Sequence, residues 1–132
     1  MGAWSYKIFE SDDALDFMGD VERDNSEVIK AIEEITILKD TDYLESYDAT
    51  KALVAIEILA AKKGKPSESF LGTGVDINKI IVEPAQEIIE KSIFVISRID
   101  KNSELRELMN ERGGENEFTK ILSDLKDRIS KN

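Results

Sequence analysis

Apolar residues return every three or four positions along nearly the whole chain, the spacing of one helix face. The first set is Ala14, Leu15, Met18 and Val21. Ser11 stands ahead of it as a cap, and Asp12 and Asp13 fall in the first turn, where the helix dipole favours negative charge. A second helix starts at Asn25 or Ser26 and runs to about Leu38. Its stripe is Val28, Ile32 and Ile35 with Ile29 and Leu38 alongside, while Lys30, Glu33 and Glu34 face out. A third begins near Ser46 or Asp48 and ends at Lys63, with Gly64 and Pro66 marking the stop. From Ala52 to Ala61 its only polar residue is Glu57. A helix apolar all round is a buried one, so this segment is expected to be the central element.

Gly64 to Val75 reads as the one clear loop. Asp76 caps a helix through Ile80 and Val82, and Pro84 either kinks it or opens a new helix that runs to Ile99. Asn102 or Ser103 caps a short helix ending at Gly113-Gly114, and a last helix from about Glu117 carries Phe118, Ile121, Leu122, Leu125 and Ile129. Only Trp4 to Phe9 could be extended. The pattern predicts an all-α fold over residues 1–132: a single compact bundle of five to seven helices around a buried central helix at about 48–63. Trp4, Tyr6, Phe9 and Phe17 crowd the start of the chain, as anchors pinning that end to the core.

Composition narrows the chemistry. The 132 residues are 41% hydrophobic and 35% charged, which suits one ordinary domain with a heavily charged surface. There is no Cys and no His, so disulfides, thiol chemistry and His-based catalysis are absent, and so is the usual zinc ligand. No apolar run approaches the roughly 20 residues that span a bilayer. Met1-Gly2 lacks the Ser or Thr that a myristoylation motif wants where Tyr6 stands. The expected setting is cytoplasmic, with no membrane contact and no cofactor.

Charge is unevenly placed. Residues 1–50 hold 14 Asp and Glu against 4 Lys and Arg, a balance of −10, whereas residues 51–132 hold 14 against 14. Asymmetry of this kind speaks to partners rather than to fold. Asp12, Asp13, Asp16 and Asp20 share one helix face by their spacing, as a site for a basic surface or a hard cation, or simply as a solvated face. Glu57 inside an apolar helix is either a site carboxylate or an ion pair with Arg98, Arg106 or Arg128. Gly72-Thr73-Gly74 lacks the third glycine and the Gly-Lys-Ser/Thr of phosphate loops. Asp40-Thr41-Asp42 opens like a calcium loop, but Glu45 and Lys51 stand where that loop needs Gly and its final ligand. With no basic patch among aromatics, nucleic acid is disfavoured as a partner.

Met1-Gly2-Ala3-Trp4 followed by Ile8-Phe9-Glu10-Ser11-Asp12-Asp13-Ala14-Leu15-Asp16-Phe17 resembles the opening of the bacterial family catalogued as domain of unknown function 4259. Tyr43-Leu44-Glu45 leading into Ala52 to Glu57, and Asn102 to Leu108, are similar as well. The resemblance implies a small bacterial helical domain. It marks Trp4, Phe9, Asp12, Asp16, Glu57 and Arg106 as matching positions, with no chemistry assigned to them.

Two classes of function follow. The first is a non-enzymatic interaction module for a basic protein such as a toxin, in the manner of an immunity protein. Its contacts are Asp12, Asp13, Asp16, Asp20, Glu22, Asp24, Glu33 and Glu34. The second is a Mg²⁺- or Mn²⁺-dependent hydrolase with Asp12, Asp16 and Glu57 converging on the metal.

Overall fold

Helix α3 (Ser46–Lys62) decides the architecture. Every residue from Ala52 to Ala61 is buried, with Ala49 and Thr50 before them. A computed structural model describes Phe9 and residues 11–131 of the chain. In it α3 packs against α1 (Asp12–Arg23), α2 (Glu27–Thr36), α5 (Gln86–Lys101), α6 (Glu104–Glu111) and α7 (Glu115–Ser130). The short α4 (Glu68–Leu71) and a 3-10 turn (Ile77–Lys79) lie in the connection between α3 and α5. Among the described residues there are seven α-helices and no strand. The protein is therefore an all-α bundle around a buried central helix, as its periodicity predicts. The alanines Ala52, Ala55, Ala60 and Ala61 leave room for the large side chains Phe17, Ile32, Ile99, Phe118 and Leu125, all at most 1% exposed.

Caps hold where hydroxyls were expected. Ser11 Oγ accepts from Ala14 N at 3.2 Å, and buried Ser103 Oγ accepts from Arg106 N at 3.0 Å while donating to Ile99 O. Gly64 ends α3 with φ +83°, a backbone region that other residues enter at a cost.

Several boundaries differ from the expectation. Ser26 occupies the N-cap of α2, but its side chain makes no cap bond; instead Asp24 Oδ1 accepts from its hydroxyl and its amide. The stretch read as one loop contains α4, because Ser67 caps Phe70 N and Phe70 buries itself against Phe9, edge to face at 6.1 Å. Asp76 caps only a 3-10 turn, since Ile80 leaves it extended and buried. Pro84 lies before α5, whose N-cap is Ala85. Helix α7 starts at Glu115, directly after Gly114. Leu15, expected on the apolar stripe, is 56% exposed: Ala14, Phe17, Met18 and Val21 already fill the buried side of α1. The possible extended segment from Trp4 falls outside the described residues apart from Phe9, which is helical and buried.

Candidate functional site

Two of the charged residues singled out in the sequence turn out to be internal ties. Glu57 is 6% exposed and meets Arg128 of α7 in a two-pronged pair, Nη1 to Oε1 at 2.8 Å and Nη2 to Oε2 at 2.9 Å. Arg128 also donates to Lys65 O and to Asp124 Oδ2. Burial works against the guanidinium's charge, yet the bonds to Glu57 and Asp124 outweigh it and raise its pKa. Of the three arginines the sequence left open, Arg128 is the partner. Arg98 instead donates to the carbonyl oxygens of Lys39, Asp42 and Asn102, which fastens the end of α5 to the loop after α2. That loop holds Asp40-Thr41-Asp42, where Asp42 Oδ2 accepts from Lys39 N, a capped turn rather than an ion cradle.

Arg106 is the second tie. Its guanidinium pairs with Asp100, donates to Thr119 Oγ1 and to Glu115 O, and lies 4.9 Å from the Phe118 ring centroid. It thus joins α5, α6 and the first turn of α7, with a cation–π contact added. Sequence reasoning raised Arg106 only as a possible partner for Glu57 and as a matched position. Nothing in spacing reveals a residue that collects partners from three helices.

With both Glu57 oxygens held by Arg128, Asp12, Asp16 and Glu57 do not assemble around a common point. No group of three Asp or Glu side chains suited to a metal occurs among the described residues.

The eight acidic positions read as partner contacts divide in two. Asp20 pairs with Arg23, Asp24 is lowered in pKa chiefly by the Ser26 hydroxyl, Glu33 meets Lys91 of α5 at 2.8 Å and Glu34 meets Lys51 of α3 at 3.5 Å. Glu33 and Glu34 therefore tie α2 to two different neighbours and do not extend the acidic face of α1. Asp12, Asp13, Asp16 and Glu22 have no such answer among the described residues. At 100° per residue Asp12 and Asp16 point away from the core, with Asp13 on one shoulder and exposed Leu15 and Glu22 on the other. The result is an outward helix face whose four carboxylates have no ion-pair partner among the described residues, with one exposed apolar side chain at its edge.

An open groove of about 420 Å³ lies beyond this face, lined by Glu22, Thr73, Gly74, Val75, Asp76, Lys79 and Ile80. Two carboxylates against one lysine make it a poor seat for phosphate. Thr73 Oγ1 is taken up locally, donating to Phe70 O and accepting from Val75 N. No described helix is long and apolar enough to cross a membrane.

Fold and surface together define a helical bundle in which Glu57 and Arg106 are internal ties, while Asp12, Asp13, Asp16 and Glu22 of α1 have no ion-pair partner among the described residues. The chain belongs to the family described as domain of unknown function (DUF4259), which matches residues 2–120. No curated protein and no solved structure matches it.

Proposed function

We propose that the protein is a non-enzymatic interaction module that binds a basic protein partner, a toxin neutralised in the manner of an immunity protein being the concrete case. The observation that carries the reading is the outer face of α1, where Asp12, Asp13, Asp16 and Glu22 have no cationic or hydrogen-bonding partner among the described residues. Like charges crowded on one face cost stability unless something positive answers them. A cationic partner would answer them, and the field of the face would speed its approach at low salt. Leu15, 56% exposed at the edge of the face, gives that partner an apolar contact beside the carboxylates. Asp20, Asp24, Glu33 and Glu34 take the outer rim of the reading, since each already has a local partner.

The test is affinity capture at low salt with the wild type and with the double variant Asp12→Lys/Asp16→Lys, followed by identification of the bound proteins. A basic protein held by the wild type, released by salt and not held by the variant supports the reading. Capture that ignores both salt and the substitutions overturns it.

A further inference from the structure

Helix α5 turns toward solvent a charge order that reads the same in reverse with signs exchanged. Glu87, Glu90, Phe94, Arg98 and Lys101 follow at intervals of three, four, four and three residues. At the helical turn angle all five lie within about 40° of the Phe94 direction. The core-facing side, with Ile88, Ile89, Ser92, Val95, Ile96 and Ile99, lies opposite. Phe94 is 53% exposed. Most of the flanking charges have no opposite charge beside them among the described residues. Arg98 bonds only to neutral carbonyl oxygens, Lys101 has no partner among the described residues, and Glu90 receives only the Gln86 amide. Glu87 sits 3.6 Å from Lys91 on the same helix.

Helix α2 lies beside α5. The Glu33–Lys91 pair at 2.8 Å and the Arg98 Nη1 bond to Lys39 O at 3.2 Å show that α2 and α5 run in the same direction. Ile37, which directly follows α2, is 80% exposed.

We propose that the protein self-associates as a two-fold symmetric dimer, with α5 packed antiparallel on α5 of a second copy and Phe94 at the axis. In that arrangement each residue a given distance before Phe94 faces the one the same distance after it. Glu90 then opposes Arg98 of the second copy and Glu87 opposes its Lys101, giving four unlike pairs around an apolar centre. A parallel pairing sets Glu on Glu and Lys on Lys, so the charges select the orientation. The surface is separate from the acidic face of α1, and either assignment can fail without the other.

Sedimentation velocity over a series rising to about 1 mM protein tests it. The wild type is expected to pass from monomer to dimer, with weaker association at high salt. Phe94→Asp, at an exposed position and checked for helicity by circular dichroism, is expected to raise the dissociation constant by about tenfold or more. Glu87→Lys should weaken the dimer, and Glu87→Lys/Lys101→Glu should restore it, because the exchange recreates unlike pairs only across the antiparallel axis. A wild type that stays monomeric throughout overturns the proposal, as does a dimer indifferent to Phe94→Asp. A double variant no tighter than Glu87→Lys alone overturns the antiparallel register.

Discussion

Replacing Arg128 by methionine removes the guanidinium that holds both oxygens of Glu57, leaving a carboxylate 6% exposed with no counter-charge. Breaking a buried pair from one side costs roughly 3–5 kcal/mol, because the remaining charge is stranded in a poorly solvated place. The lower end applies here, since the Arg128 side chain is itself 16% exposed and water can approach its vacated position. A loss of about 3 kcal/mol is a large share of the 5–15 kcal/mol typical of a domain. With an unfolding entropy of about 2.1 cal/mol/K per residue, the 132 residues give about 0.28 kcal/mol/K, so the midpoint should fall by about 11 °C. The companion variant Glu57→Met/Arg128→Met replaces both charges by apolar groups, and it should lie within about 1 kcal/mol of the wild type. Urea unfolding of the wild type, Arg128→Met, Glu57→Met and the double variant at neutral pH, with unchanged denaturant slope, gives the cycle. A single variant that loses less than about 1 kcal/mol, or a double variant as damaged as the single, refutes the view that Glu57 is a structural ion-pair residue.

Ser103→Ala removes a hydroxyl that caps α6 and also bonds Ile99 O, both in a buried setting, and should cost about 1–2 kcal/mol in chemical denaturation. Leu15→Ala, on the exposed side of α1, should change stability by less than about 0.5 kcal/mol. Phe17→Ala, two residues on and 1% exposed, should lose about 3–5 kcal/mol; equal losses would mean that α1 is rotated from its described orientation. The hydrogen bond to Glu33 is the main cause of a raised Lys91 pKa. A cation whose pKa is higher folded than unfolded adds stability that is complete below the ordinary lysine range and disappears as pH rises through the folded value. The Lys91→Met variant should therefore unfold like the wild type only at strongly alkaline pH, and a difference that persists there counts against the tie.

Most of the fold was legible in the sequence, for a physical reason visible in α3. A stretch whose only polar residue is Glu57 has no solvent side to offer, so burial on all sides follows from composition before any neighbour is known. The amphipathic helices α2, α5 and α7 likewise declare themselves by three-to-four spacing. Element ends were less legible. Helix α4 exists because Phe70 finds Phe9, some sixty residues earlier in the chain, and no local signal carries that contact.

The candidate site shows the same division. Sequence alone determined the reservoir of charge: fourteen carboxylates against four cations in the first fifty residues, and no Cys or His to turn them toward common catalytic chemistry. Tertiary structure decided which carboxylates remain available. It spent Glu57 on Arg128, Glu33 on Lys91 and Glu34 on Lys51, and left Asp12, Asp13, Asp16 and Glu22 facing outward. It also turned Leu15 and Phe94 to solvent, where periodicity alone put Leu15 in the core. The reason is that helical spacing fixes which residues share a face. Which cation lies within a few ångströms of that face depends on contacts between segments far apart in the chain, such as Glu57 and Arg128, separated by seventy-one residues.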